Sequence, residues 1–263
     1  MGKALAGRSA VVTGSTSGIG LAIARAFAAE GANVMLNGLG DAAAIEKLRA
    51  GIEKDHGVKV RFNGADMTRP AEIRELVREA EGAFGAVDIL VNNAGIQHVA
   101  SVDQFPEERW DAIIAINLSS AFHASKAALP GMKRRRWGRI VNIASAHGLV
   151  ASPNKSAYVA AKHGIVGFTK AAALETAEEG IRVNAICPGF VHTPLVQKQI
   201  EDRAREAGIP EERATRDIIL APQPTKEFVT VEQIAATAVF LCSEGAAQIN
   251  GASIAVDGGW TAI

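Results

Sequence analysis

The chain is poor in cysteine and has no excess of charge of either sign. Its 28 Lys and Arg balance 28 Asp and Glu over 263 residues, so it lacks the basic excess that gives nucleic-acid-binding proteins most of their affinity. The two cysteines, Cys187 and Cys242, lie far apart within apolar segments. This arrangement indicates buried thiols in a reducing compartment rather than a disulfide framework or a zinc site. We therefore expect no nucleic-acid partner and no bound metal.

Long apolar runs are also missing. The longest stretch without Lys, Arg, Asp or Glu runs from Ser9 to Ala24 and is rich in Gly, Ser and Thr, whereas a membrane-spanning helix needs roughly 18 to 20 apolar residues. Residues 1–8 show neither the apolar core of a signal peptide nor the Arg-rich pattern of a transit peptide. We expect a soluble, cytoplasmic protein with no membrane partner.

Short apolar runs alternate with longer amphipathic stretches along the chain. Most of the short runs are unbroken, which is typical of strands covered by helices on both faces. The seven predicted strands are Ser9–Thr13, Asn33–Asn37, Val58–Gly64, Val87–Asn92, Arg139–Ser145, Ile181–Cys187 and Ser253–Val256. The six predicted helices are Gly18–Glu30, Asp41–His56, Pro70–Phe84, Pro106–Lys133, Ser156–Glu179 and Val231–Glu244. This order predicts an α/β fold with a doubly wound, seven-stranded parallel sheet.

One segment interrupts the alternation. Residues 190–230 hold four of the nine prolines and two charged amphipathic pieces, and this connection is far longer than usual. We expect a small helical lid over a substrate site. Since no linker, composition break or repeat divides the chain, we expect one domain over residues 1–263. The basic run Lys133–Arg136 closes a predicted helix, where cations complement the carbonyl end, so it is not taken as an anion site.

The first predicted strand leads directly into a glycine-rich turn and a helix. Glycines at 14, 18 and 20 give the pattern GxxxGxG, which permits a tight turn and a close approach of the backbone to a pyrophosphate. The amino end of the following helix would face the anion. The pattern alone is weak evidence, but its place after the first strand of an alternating chain favours a dinucleotide. A P-loop is excluded because no Gly-Lys-Ser/Thr follows.

The end of the second predicted strand bears on the choice between NAD and NADP. It reads Leu36-Asn37-Gly38-Leu39-Gly40-Asp41 and contains no Arg or Lys, whereas a 2′-phosphate is usually met by a cation. No acid lies at the strand tip itself, and Asp41 comes slightly late. The preference for NAD therefore rests mainly on the missing cation.

Tyr158 is the only tyrosine, and Lys162 follows it at i+4. On a helix the two side chains share one face, and an ammonium beside a phenol favours the phenolate. Taken alone, the pair is more often a core tyrosine beside a surface lysine. Two further polar residues argue for catalysis: Ser145 ends the fifth strand, at the edge where parallel sheets bind ligands, and Asn117 lies within an apolar helical run.

These motifs together resemble the short-chain dehydrogenase/reductase superfamily over the whole chain. The matching features are TGxxxGIG from Thr13, NNAG from Asn92, Asn117, Ser145, YxxxK from Tyr158 and PGFVHT from Pro188. The resemblance implies a Rossmann-type fold and a nicotinamide cofactor. It also implies that Tyr158 exchanges a proton with the substrate oxygen and that Ser145 hydrogen-bonds this oxygen. Lys162 would hold the nicotinamide ribose and lower the pKa of Tyr158, and Asn117 would anchor a water molecule in the proton relay.

The same resemblance implies a set of cofactor contacts. Asp66 would face the adenine and Thr193 the nicotinamide carboxamide. The full set is Gly14, Thr16, Ser17, Gly18, Ile19, Gly20, Leu39, Asp66, Met67, Asn93, Gly95, Tyr158, Lys162, Val191 and Thr193.

Four side chains near these motifs can donate hydrogen bonds into the same crevice: Gln97, His147, Lys155 and Gln199. Each alone has a simpler explanation as a loop, surface or core residue, but together they suit a small carboxylate. The segments around them resemble the bacterial D-3-hydroxybutyrate dehydrogenases, in which the matching residues bind the substrate carboxylate. Trp260 would wall a pocket for the methyl end. Phe190 departs from this group, where Trp can occupy the position.

The resemblance implies reversible oxidation of (R)-3-hydroxybutyrate to acetoacetate, with hydride transfer to NAD and Tyr158 as general base or acid. It also implies a homotetramer formed through two long helices. Two alternatives remain open. One is reduction of another carbonyl, such as a 3-oxoacyl thioester, or oxidation of a cyclic alcohol. The other is a redox-sensing module that binds NAD without turnover.

Overall fold

The computed structural model describes residues 3–192 and 194–262, except the side chains of residues 194 and 195. Its strands are β1 Ser9–Val12, β2 Asn33–Asn37, β3 Val60–Asn63, β4 Ile89–Asn92, β5 Gly138–Ile143, β6 Ile181–Pro188 and β7 Ser253–Val256. They form one sheet in the order β3-β2-β1-β4-β5-β6-β7, in which every neighbouring pair is parallel. The predicted doubly wound parallel sheet is confirmed.

The helices connect these strands or follow them. They are α1 Gly18–Ala29, α2 Ala42–His56, α3 Pro70–Phe84, α4 Glu107–Ile114, α5 Ser120–Arg135, α6 Ser156–Thr176, α7 Pro194–Ala207, α8 Glu211–Ala214 and α9 Val231–Cys242. The helix predicted over Pro106–Lys133 is divided by a π-helical segment, Ala115–Ser119. The extra residue in this turn allows Asn117 to bond the backbone of Ile96.

Alternate side chains of each central strand enter two apolar layers. Ala10 and Val12 pack with α1, α2 and α9, which contribute Phe27 among others. Val11 packs on the opposite face with α3, α5 and α6, which contribute Met132. Because strands covered on both faces need apolar residues at every position, this arrangement explains the unbroken apolar runs in the sequence.

The stretch Glu107–Arg135 is long and apolar enough to cross a membrane by length and composition alone. Its inward residues Ala124, Ala128 and Met132 pack in the same apolar cluster as Leu90 of β4 and Ile140 of β5. This stretch therefore packs against the sheet as part of the protein core. Its basic end is a helix end as predicted, and α5 stops at Arg135.

The order of the strands reverses between β1 and β4, because β1 leads outward to β2 while β4 continues towards β7. The connections that follow these two strands leave in opposite directions, and the crevice between them at the carboxyl ends is where open parallel sheets bind ligands. The predicted irregular segment folds into α7, α8 and a π-helical turn, Thr215–Ile219. Val196, Ile200 and Ile219 form its own apolar cluster beside this crevice.

Candidate active site

A pocket of about 570 Å³ opens at the crevice. It runs from the glycine-rich turn after β1 to the turn after β7 that carries Trp260. The predicted residues that line it are Gly14, Thr16, Ser17, Gly18, Ile19, Leu39, Asp66, Met67, Asn93, Gly95, Gln97, Ser145, His147, Lys155, Tyr158, Lys162, Val191, Gln199 and Trp260. Gly20 and Asn117 are buried behind the pocket wall, and Thr193 lies outside the described residues.

The turn after β1 is shaped to leave room for a ligand. Gly14 and Gly18 have φ of 61° and 55°, and no atom of the described residues lies within 4 Å of a Cβ placed on Gly18. Ser17, the N-cap of α1, makes no side-chain capping bond, so the amino end of the helix remains free for an anion. A Cβ on Gly20 would lie 2.4 Å from Nδ2 of Asn93, which explains the third glycine as a packing requirement.

Asn37, which the sequence analysis did not single out, holds this turn against the sheet. Its Oδ1 accepts a hydrogen bond from Gly14 N at 3.2 Å, and its Nδ2 donates to the carbonyls of Asn63 and Ala65. Asn37 is 1% exposed at the end of an apolar strand. The sequence signal for this role was a polar residue at the end of a buried, apolar strand.

The end of the pocket beyond β2 has no cation among its described lining residues. Gly38 and Leu39 form the wall there, and Asp41 is the N-cap of α2, where it accepts a hydrogen bond from Ala44 N. Asp66 also lines this end. Hydrogen bonds from Thr68 lower the pKa of the Asp66 carboxyl, so this end of the pocket carries a negative charge.

Tyr158, Lys162 and Ser145 meet in the middle of the pocket. Tyr158 and Lys162 lie one turn apart on α6, with Nζ of Lys162 5.6 Å from the centroid of the tyrosine ring. Ser145 comes two residues after β5 rather than at its end. Burial raises the pKa of the Tyr158 phenol, and a hydrogen bond with Ser145 opposes that shift.

Lys162 is 4% exposed and donates a 2.7 Å hydrogen bond to the carbonyl of Ile143. Burial lowers the pKa of its ammonium to about 8. The hydrogen bond to β5 holds the ammonium beside the phenol on which it is predicted to act. With a pKa of about 8, this ammonium titrates close to neutral pH.

Asn117 lies behind this group and uses both ends of its amide. Its Nδ2 donates to Ile96 O and its Oδ1 accepts from Ile96 N, each at 2.9 Å. The bonds fix the loop that follows β4. Because Gln97 is the next residue on that loop, Asn117 also determines where Gln97 enters the pocket.

The predicted substrate-binding side chains converge at the far end of the pocket. Nε2 of Gln97 is buried and has no hydrogen-bond partner among the described residues. Burial lowers the pKa of Lys155, and the cationic Arg203 lowers it further. His147 bonds Ser152 Oγ through Nε2 at 2.9 Å. Burial first, and then Lys155, lowers the pKa of His147 to about 4, so its ring is neutral at physiological pH.

Aromatic rings close this end. Phe190 and Trp260 stack with their centroids 5.2 Å apart and their planes at 7°. The His147 ring meets Trp260 edge-on at 4.9 Å, and it meets Tyr158 in the same way at 5.9 Å. The stacked pair leaves a narrow apolar wall beside the polar group, which suits a small molecule with one apolar and one charged end.

Comparisons with known proteins identify the family of the chain. The family model described as short chain dehydrogenase matches residues 8–204. The chain belongs to the short-chain dehydrogenase family. Its members are oxidoreductases, and this chain is one of them.

Two similar proteins carry the name D-beta-hydroxybutyrate dehydrogenase. The one from Cupriavidus necator is 61% identical over 258 residues, covering 98% of this chain and 99% of the relative. The one from Rhizobium meliloti is 56% identical over 258 residues, covering 97% and 99%. A solved structure described as a putative short-chain alcohol dehydrogenase from Sinorhizobium meliloti matches with a TM-score of 0.87 and 36% identity, covering 98% of both chains.

Proposed function

We propose that the protein catalyses the reversible, NAD-dependent oxidation of (R)-3-hydroxybutyrate to acetoacetate. The observation that carries the proposal is the unpaired, buried amide donor of Gln97, in the pocket that also holds Lys155 and Tyr158. A buried donor without a partner is unfavourable, and a carboxylate held beside the ammonium of Lys155 would satisfy it. The names of the two similar dehydrogenases support the same substrate.

The residues at the other end of the pocket fit NAD. The open space over Gly18 and the uncapped amino end of α1 suit a pyrophosphate. Leu39 and Asp66 would lie along the adenosine, where no described lining residue offers a cation to a 2′-phosphate. When bound, NAD supplies the acceptor for the hydride, and the protein positions the substrate against it.

The proton is handled by the protein. In the oxidation direction Tyr158 takes the proton from the substrate hydroxyl, and Ser145 hydrogen-bonds the same oxygen. The hydrogen bond with Ser145 opposes the effect of burial on the pKa of Tyr158. The ammonium of Lys162, 5.6 Å from the ring centroid, is proposed to favour the phenolate as well. Asn117 is proposed to anchor a water molecule in the relay, since its Oδ1 retains a second acceptor site beside the bond from Ile96.

The carboxylate is proposed to lie between Gln97, Lys155, His147 and Gln199. Lys155 supplies the positive charge, and hydrogen bonds from the neutral His147 and the two amides orient the carboxylate. Hydrogen bonds to charged groups contribute about 1.5 to 3 kcal/mol each. Two such bonds are enough to select a hydroxy acid over an uncharged alcohol. Closure of α7 and α8 over the substrate would exclude water and strengthen these bonds.

The oligomeric state, the domain organisation and the cellular location belong to the same proposal. The outward faces of α5 and α6 carry exposed apolar side chains, with Phe122 45% and Leu174 82% exposed. These faces suit the predicted homotetramer. One domain and a cytoplasmic location are proposed with it, and both cysteines are free and buried.

Initial rates test the function. Purified protein is assayed with NAD and NADP against (R)- and (S)-3-hydroxybutyrate, a cyclic alcohol and, in reverse, a 3-oxoacyl thioester. We expect turnover of the (R) enantiomer with NAD well above every other combination. A preference for NADP or thioesters would indicate another reductase, and NAD binding without turnover of any hydroxy acid would indicate a sensing module.

A further inference from the structure

Gln223 is a buried amide outside the pocket, in the loop between Ile219 and α9. Its side chain is fully buried. Its Oε1 accepts a hydrogen bond from Phe190 N, and its Nε2 donates to Glu227 O, both at 2.6 Å. The side chain of Gln223 therefore links the turn after β6 to the segment around Glu227, which connects the lid to α9.

Two glycines allow a third segment to reach the same amide. A Cβ on Gly189 would lie 2.5 Å from Oε1 of Gln223 and 2.9 Å from Cα of Asp257. A Cβ on Gly258 would lie 2.3 Å from Oγ1 of Thr225 and 3.2 Å from Nε2 of Gln223. The turn after β7 is thus packed directly against Gln223, and any side chain at either glycine would force the segments apart.

Each of the two turns carries one ring of the aromatic wall. Phe190 is the residue whose backbone N–H bonds Gln223. Trp260 follows the second turn, in which the carboxylate of Asp257 accepts hydrogen bonds from Gly259 N and from Thr261 N and Oγ1. The rings stack at 5.2 Å, so their separation depends on how closely the two turns are held.

We propose that Gln223 is a positioning residue that sets the Phe190–Trp260 wall and thereby limits the chain length of the hydroxy acid that the enzyme accepts. The inference rests on the proposed function. Gln223 does not line the pocket, so it acts through the backbone of Phe190 and the packing of the Trp260 turn. One methylene in an apolar pocket changes kcat/KM by about 10- to 200-fold, which makes chain length a sensitive measure of the wall.

The variant Gln223→Met keeps the size of the side chain and removes both hydrogen bonds. The control is Gln233→Met, which removes the exposed amide that accepts a hydrogen bond from Thr230 N at the start of α9. The first measurement is the ratio of kcat/KM for 3-hydroxybutyrate to that for 3-hydroxypentanoate. We expect Gln223→Met to lower this ratio about tenfold, the lower end of the effect of one methylene in an apolar pocket, with the KM for NAD unchanged and the control ratio at the wild-type value.

Gln223→Glu serves as the conservative variant. Burial favours the neutral form of a carboxyl group, so one oxygen still accepts from Phe190 N and the hydroxyl can donate to Glu227 O. We expect its ratio to lie near that of wild type. If Gln223→Met does not fold, Gln223→Asn, whose shorter amide cannot reach both partners, carries the test, and an unchanged ratio in that folded variant overturns the proposal.

A second measurement does not depend on the substrate. The chain has three tryptophans, so the double substitution Trp110→Phe and Trp137→Phe leaves Trp260 as the single tryptophan. In this background we expect acrylamide to quench Trp260 more strongly with Gln223→Met than with Gln233→Met. Equal quenching in the two variants contradicts the positioning role. Stronger quenching in a protein that does not oxidise 3-hydroxybutyrate supports the positioning of the wall and rejects only the proposed function.

Discussion

Replacing Gln97 by Met should weaken substrate binding while making the protein more stable. The replacement keeps the length of the side chain and removes the buried Nε2, which has no partner among the described residues. A hydrogen bond to a charged acceptor contributes about 1.5 to 3 kcal/mol. Since 1.4 kcal/mol corresponds to a factor of ten, Gln97→Met should raise the KM for 3-hydroxybutyrate about 10- to 100-fold.

The stability change has the opposite sign because the unpaired donor destabilises the ligand-free protein. Leaving a buried donor unsatisfied costs about 1 to 3 kcal/mol, and for a chain of this size about 1 kcal/mol moves the melting temperature by roughly 2 to 4 °C. We therefore expect a higher Tm for Gln97→Met than for wild type. A residue with a purely structural role would give a lower Tm instead.

The assay is initial-rate kinetics with each substrate varied in turn, together with thermal unfolding of the ligand-free protein. The control is Gln104→Met, since Gln104 is exposed on the same connection and its side chain donates to its neighbour Asp103. An unchanged KM for 3-hydroxybutyrate, or an equal rise in the KM for NAD, would refute the reasoning.

Three further predictions concern the proton, the charge and the turn. Tyr158→Phe should lower turnover by about 10²- to 10⁴-fold, the usual contribution of a general acid or base, while NADH titration shows unchanged affinity; retained turnover would remove Tyr158 from the proton step. The KM for 3-hydroxybutyrate should rise as the pH passes through the lowered pKa of Lys155, because only the ammonium pairs with the carboxylate. Lys155→Arg should move this rise to higher pH. The same pH profile in wild type and variant would assign the rise to another group. Gly20→Ala should weaken NADH binding about tenfold or more, because the added Cβ meets Asn93 and overpacking costs about 1 to 3 kcal/mol. Gly167→Ala is its control, because the added Cβ would meet no described atom within 4 Å. Equal NADH affinities in the two variants would contradict the packing argument.

The sheet was predictable because its signal is local. Each central strand is an unbroken apolar run between turn residues, and all seven predicted strands match the structure within two residues at each end. The π-helical turn around Asn117 was not predictable. Its sequence has the same apolar period as an ordinary helix, and its Asn117 bonds Ile96, which lies 21 residues away.

The pocket residues were predictable where a motif carried them, as for Tyr158 and Lys162. Asn37 and Gln223 were missed because both act through hydrogen bonds that join separate segments. Gln223 bonds Phe190 at a separation of 33 residues, and its loop has no periodicity that marks it as buried. The unpaired state of Gln97 also depends on the three-dimensional surroundings.

The central claim is that the pocket recognises a hydroxy acid by its carboxylate and oxidises it at Tyr158. The most direct test compares kcat/KM for (R)-3-hydroxybutyrate with that for its uncharged methyl ester, using NAD and wild-type protein. Two lost charge-assisted bonds at about 1.5 kcal/mol or more each predict at least a roughly 100-fold preference for the acid. Equal values for acid and ester would contradict the account.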